Sequence, residues 1–172
     1  MVQRHPGRFG ELRNGVRLLF TGHAELNIDA KQRLAIPAKY RGQMSPERDG
    51  EGWFCVPWSA RLIRIYTETT FTELAAKGEQ GLATTEDQAE FEATLFGFAE
   101  RIELDSAGRI TIPKLHLQMT GLGTEVVIVG ARNRLEVRDR NAWTATIPER
   151  FARLPSLVAR VESQRQNAPE PQ

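Results

Sequence analysis

The chain has 172 residues, 40% of them hydrophobic and 26% charged, and a formal net charge of +1. That length leaves room for one ordinary domain or two small units sharing a core, and the composition is that of a soluble globular protein. It excludes a membrane-spanning helix, since no apolar run approaches about 18 residues, and an internal disulfide, since Cys55 is the only cysteine; the near-neutral total says nothing for or against nucleic acid.

Residues 1–19 carry Arg4, Arg8, Arg13 and Arg17 against Glu11. They lack the long apolar stretch of a secretory leader, so the expected compartment is the cytoplasm. This basic extension is read as a flexible arm adding phosphate contacts, or as a segment ahead of the native start. Charge is polarised along the chain. Residues 1–41 hold eight basic residues against three acidic ones, and residues 67–100 hold one lysine against eight acids. A basic region of this kind can face phosphate while the acidic one faces water or a neighbouring subunit.

From residue 24 the elements come in a fixed order. "AELNID" alternates Leu26 and Ile28 with Glu25, Asn27 and Asp29, as a half-buried strand does. A three-residue connection leads to "RLAI", whose inner face is Leu34 and Ile36, and Pro37 opens a short helix. "MSPERDGEGW" reads as a turn-rich loop. "GWFCVPWSARLIRIY" is a strand or hairpin in which Cys55 is a small buried hydrophobe, and a helix starts at the N-cap Thr67. "TTEDQAEFEATLFGFAE" is a further helix. Thr85 and Gln88 form its capping box, and Phe91, Leu95 and Phe98 form an apolar stripe that packs on the core or also on another subunit.

The same order then repeats. "RIELD" precedes "RITI"; Asp105 lies 76 residues after Asp29, and Arg109, Ile112 and Pro113 lie 76 after Arg33, Ile36 and Pro37. A helix ends before Gly121, which is expected to be its C-cap. "TEVVIVGARNRLEVR" supplies a hairpin turning at "GARN", and Asp139 caps the next helix as Thr67 does. The tail "SQRQNAPEPQ" is expected to be disordered. Two copies at so long a period indicate a duplicated unit rather than a solenoid.

Strand parity places Asp29 and Arg33 on one outward face, and Asp105 and Arg109 likewise. The carboxylate can hold the turn through loop N–H groups and also aim the guanidinium. An aimed arginine reads phosphate, or guanine in a major groove. The competing reading is a hairpin salt bridge worth about 0–1 kcal/mol and nothing more. Catalysis has little to stand on. His5, His23 and His116 lack metal-ligand spacing, no nucleophile elbow, phosphate loop or dinucleotide fingerprint occurs, and no cofactor, metal or small-molecule substrate is expected.

"FTGHAELNIDAKQRLAIPAKYR", "ERIELDSAGRITIP" and "GLGTEVVIVGARNRLEVRDRNAW" together resemble the MraZ family of bacterial division and cell-wall cluster regulators. The resemblance implies an α+β fold of two duplicated, β-rich, SpoVT-AbrB-type half-barrels with short helices, related by a pseudo-two-fold axis and assembling as a homo-oligomeric ring. It implies a nucleoid-associated transcriptional regulator, a repressor, that binds direct repeats of double-stranded DNA in its own promoter. The residues tied to DNA are then Asp29, Arg33, Asp105 and Arg109, with Lys31 as a phosphate contact. The organisation expected is 1–19 extension, 23–70 first domain, 71–98 linking helical segment, 99–142 second domain, and 143–172 C-terminal helix and tail.

Two departures bear on the site. The family carries Gly before the arginine, kept as Gly108 but replaced by Gln32 in the first copy, where a positive φ would cost about 1 kcal/mol. The family's arginine after Ile-Pro is Arg41 in the first copy and Leu117 in the second, so the first copy is expected to contribute more DNA affinity. Alternative readings are a protein–protein assembly module, with the Asp/Arg pairs facing other subunits, and an AbrB-like antitoxin.

Overall fold

The computed structural model describes residues 18–77 and 85–166. Fifteen elements follow in chain order: β1 (His23–Asn27), β2 (Arg33–Ala35), α1 (Ala38–Arg41), α2 (Pro46–Asp49), β3 (Trp53–Ser59), β4 (Leu62–Thr67), α3 (Glu68–Ala76), α4 (Glu86–Phe98), β5 (Glu100–Ile102), β6 (Arg109–Thr111), α5 (Lys114–Thr120), β7 (Glu125–Gly130), β8 (Leu135–Asp139), α6 (Arg140–Ala145) and α7 (Ile147–Gln166). The fold is α+β, and every strand pair among the described residues is antiparallel.

Six strands form one sheet in the order β1-β7-β8-β4-β3-β5, and β2 and β6 form a separate two-stranded ribbon. The two sequence repeats are interleaved in this arrangement. β1 of the first repeat pairs with β7 of the second, Glu25 opposite Val127, and β5 of the second pairs with β3 of the first, Phe54 opposite Arg101. Between them the hairpins β3–β4 and β7–β8 join edge to edge, Ile63 opposite Val137.

Alternation along the strands builds the core. Trp53, Cys55, Ile63, Ile65, Val126, Ile128, Leu135 and Val137 face inward from the large sheet, and Leu34, Ile36, Ile110 and Ile112 meet them from the ribbon. These side chains are at most 1% exposed. The hydrophobic effect therefore clamps the ribbon on its inner face, at about 1.5–3 kcal/mol per buried large aliphatic side chain, and leaves the outer face to solvent.

Local signals explain the helix ends. The side-chain oxygens of Thr67 and Asp139 accept from the backbone N–H of Thr70 (3.3 Å) and Ala142 (2.8 Å). Gly121 closes α5 at φ +62°, its N–H donating to the Leu117 carbonyl. Pro37 and Pro113 stand at the N-cap rather than inside the first turn, and each carbonyl accepts the first helical hydrogen bonds.

Three details differ from the sequence expectations. The segment read as a loop contains α2, because Pro46 preorganises the first helical position and the Asp49 carboxylate returns to the Ser45 N–H at 2.9 Å. The Thr85 capping box is one-sided: Thr85 accepts from the Gln88 N–H, but the Gln88 amide turns to Glu92. α7 continues to Gln166 through the polar "SQRQ", and residues 167–172 lie outside the described residues, as do residues 1–17 of the basic extension.

Candidate functional site

The two Asp-x-x-x-Arg segments fold into the same turn. The Asp29 carbonyl accepts from the Gln32 N–H at 2.9 Å, and the Asp29 N–H donates to the Arg33 carbonyl at 3.0 Å. In the second copy Gly108 donates to the Asp105 carbonyl at 2.9 Å and Asp105 donates to the Arg109 carbonyl at 2.8 Å. Each carboxylate divides its oxygens between backbone and side chain. Asp29 Oδ1 accepts the N–H groups of Lys31 and Arg33, both at 2.9 Å, and Asp105 Oδ1 accepts those of Ala107 and Arg109, also at 2.9 Å.

The other oxygen takes the guanidinium side-on. Arg33 Nε and Nη2 both lie 2.7 Å from Asp29 Oδ2, and Arg109 Nε and Nη2 both lie 2.8 Å from Asp105 Oδ2. A guanidinium has five N–H donors in a planar fork. Two are spent on the aspartate, and among the described residues no side chain takes the Nη1–Nη2 edge, which can meet an external acceptor. The Arg33 side-chain hydrogen bond, helped by the backbone N–H groups, lowers the Asp29 carboxyl to about 2. The Arg109 backbone N–H, then its side chain, lowers Asp105 in the same direction. Both carboxylates are charged at neutral pH, and both arginines are held in one orientation.

The structure brings the two turns together. β2 and β6 pair with Arg33 opposite Thr111, Leu34 opposite Ile110 and Ala35 opposite Arg109. Leu34 and Ile110 point into the core, so Arg33 and Arg109 share the outer face as diagonal neighbours, about 7–8 Å apart. The pairing continues beyond the strands, where Ile36 N–H donates to the Gly108 carbonyl (3.0 Å) and Ile112 N–H to the Gln32 carbonyl (2.9 Å). Exchanging the two motifs exchanges these two bonds.

Two cations complete the face. Lys31 is exposed at the tip of the first turn. Arg41 reaches from α1 across to the second turn, where a Cβ at Gly108 would stand 2.8 Å from its Nε and Cζ, and its Nε donates to the Ile36 carbonyl at 2.9 Å. Each turn thus carries one added cation. Nothing in the sequence signals that Arg41 crosses to the other repeat; its position depends on the β2–β6 pairing. Gln32 has φ +62° and Gly108 φ +73°, so the first turn carries the strain that its glutamine implies.

The remaining chemistry-bearing groups lie elsewhere. His116 Nδ1 is 3.3 Å from Cys55 Sγ in the core. Burial pushes the Cys55 thiol above its ordinary value and lowers His116, so the pair rests as neutral thiol and neutral imidazole. His23 is exposed near Trp143, and His5 lies outside the described residues. Among the described residues no cluster of His, Cys, Asp or Glu could hold a metal ion, and no helix is long and apolar enough to cross a membrane.

Residues 95–159 match the family model described as "MraZ protein, putative antitoxin-like". A protein of Shewanella oneidensis is 31% identical over 131 residues, which cover 76% of this chain and 86% of the relative. A protein of Coxiella burnetii is 32% identical over 125 residues, 73% of this chain and 82% of the relative, and one of Shewanella frigidimarina is 34% identical over the same shares. All three are named Transcriptional regulator MraZ. The class is thus that of a transcriptional regulator, in agreement with the expectation that the chain is not an enzyme. The chain belongs to the MraZ family.

Proposed function

We propose that the β2–β6 ribbon is a sequence-specific reader of double-stranded DNA. The observation that carries this is the pair of oriented arginines on one exposed ribbon face. A B-DNA major groove, about 12 Å wide, admits a two-stranded β-ribbon, and an arginine with a free fork pairs with guanine O6 and N7 or with phosphate. Asp29 and Asp105 position, Arg33 and Arg109 read, and Lys31 and Arg41 contact phosphate.

The chain acts in the cytoplasm at the nucleoid, as a repressor of the division and cell-wall gene cluster, on direct repeats in its own promoter. Residues 23–70 and 99–142 are two SpoVT-AbrB-type half-barrels around a pseudo-two-fold axis, joined by 71–98 and followed by a C-terminal helix and tail from 143. The repeated order of elements and the exchange symmetry of the ribbon support that division. A few cations per subunit bind DNA weakly at cellular salt; a ring presenting the same ribbon repeatedly along one DNA multiplies affinity through local concentration.

Fluorescence anisotropy tests this with labelled DNA from upstream of the gene and a scrambled control at one stated salt concentration. The expected result is at least tenfold tighter binding to the native DNA. Equal, weak binding to both would overturn the proposal and favour the Asp/Arg pairs as subunit contacts.

A further inference from the structure

Two apolar surfaces are left uncovered by the described residues. The first is the seam of α7. Ile147, Phe151, Leu154, Val158 and Val161 recur at spacings of four and three, one stripe at about 100° per residue. All five are exposed, Phe151 at 78%, and none of the described side chains of α7 is buried. The second is a groove between α4 and the β3–β4 hairpin. Cavities of about 430 and 390 Å³ adjoin there, lined by Trp58, Phe91, Leu95 and Phe98 among others. Leu95 meets the small cluster of Val56, Tyr66 and Phe71, but Phe91 stays 52% exposed and no residue of α4 is buried.

The charges of the two surfaces are complementary. At helical spacing Arg150 flanks the α7 stripe, and Arg153 and Arg160 lie further round the same side of the helix, Arg153 beside Glu149 at 3.2 Å. Asp87 and Glu90 line one cavity and Glu92 the other. We infer that α7 of one subunit lies in the α4 groove of a second copy of this chain. The contact is head-to-tail, the kind that closes rings when the rotation between subunits allows, and a helix laid in an apolar groove is a common docking mode. This deepens the ring proposed above and rests on it for closure.

The main competitor, pairing of α7 with α7, fits less well. With the seam at the core positions of a coiled coil, the flanking residues are Pro148, Pro155 and Glu162 on one side and Arg150, Leu157 and Gln164 on the other. These offer no opposite-charge ladder, and Pro155 removes a helix hydrogen bond. Such pairing would also leave the groove empty and its acidic rim unmatched.

The test uses the full chain without DNA. Native mass spectrometry is run on the wild type, on Arg153→Glu/Arg160→Glu, and on that variant combined with Asp87→Arg/Glu90→Arg. The expected sequence is assembly, loss of at least tenfold in assembly affinity, and recovery. In parallel, Phe151→Cys and Phe91→Cys chains are mixed and treated with a short bismaleimide; native Cys55 is fully buried and does not compete. Cross-linking should join the two different chains in excess over either with itself. A wild-type assembly that ignores the reversals and yields no mixed cross-link overturns the α7 contact and leaves the ring standing. Predominant Phe151→Cys self-linking overturns it in favour of α7 pairing. A wild type that stays a single subunit removes both.

Discussion

Arg33 and Arg109 stand on the same exposed face of one antiparallel ribbon, diagonal to each other around the buried Leu34–Ile110 pair. Each is aimed by an aspartate four residues earlier, so two segments far apart in sequence become one surface with two open guanidinium edges.

Replacing either arginine by alanine should weaken binding to native upstream DNA by about tenfold or more, within the 1–3 kcal/mol of a bidentate base contact. Because Lys31 and Arg41 supply one extra cation to each turn, the two losses should be of similar size. Lys31→Ala should weaken native and scrambled DNA alike and reduce the log–log salt slope by about 0.9. Anisotropy titrations at several salt concentrations check all three, and an Arg33→Ala variant that keeps full preference for native DNA removes the ribbon as reader.

Asp29→Asn separates aiming from charge. The change makes the chain more positive, which alone would strengthen DNA binding. If the carboxylate positions Arg33, binding to native DNA should fall while binding to scrambled DNA stays level or rises. Competition between the two DNAs in one titration reads the difference.

The same carboxylates predict an acid limb in stability. Asp29 is lowered to about 2 by Arg33 and Asp105 is lowered by Arg109, so the folded state takes up these protons less readily than the unfolded chain. Their contribution is fully present above the ordinary carboxylate value and is lost as pH falls from about 4 towards 2. Denaturant melts across that window should show a shallower acid slope for Asp29→Asn/Asp105→Asn than for the wild type; identical slopes would exclude the two pairs as its source.

Gln32 holds φ +62°, a conformation costing a side-chain residue about 1–2 kcal/mol. Gln32→Gly should therefore stabilise the protein by about 0.5–1 kcal/mol after the added freedom of glycine in the unfolded chain, raising Tm by about 2–4 °C per kcal/mol. Gly108→Ala should act oppositely, through its own positive φ and the Arg41 guanidinium across from it. Thermal melts of the two variants check the pair of signs.

Glu136 is a buried carboxylate, its side chain 6% exposed, on the outer face of the sheet between Arg64, Arg134 and Arg138 at 3.3, 2.9 and 2.5 Å. Burial raises its pKa and the arginines more than reverse that, leaving it lowered. Glu136→Ala leaves three largely buried arginine side chains without their acceptor and should cost about 1–3 kcal/mol. Urea unfolding measures it, and a loss under about 0.5 kcal/mol, the range of ordinary surface substitutions, would place the cluster among weak surface pairs.

Much of the local structure was legible in the residues themselves. Alternation separated Leu34 and Ile36 from Arg33, the caps at Thr67, Asp139 and Gly121 marked helix ends, and the Asp-to-Arg spacing placed carboxylate and guanidinium on one side of a turn. These depend on neighbours within four or five residues, where backbone geometry leaves few choices. Pairing between distant strands has no such local signature, because any strand with an apolar face can satisfy its hydrogen bonds against several others. Only the tertiary structure decided that β1 joins β7, that β5 joins β3, and that β2 meets β6 so that Arg41 reaches Gly108. The α4 stripe makes the same point in reverse: Phe91, Leu95 and Phe98 have the spacing of core residues, yet of the three it is Leu95 that packs on Val56, Tyr66 and Phe71, and periodicity alone cannot say whether an apolar face is covered by its own chain or by another.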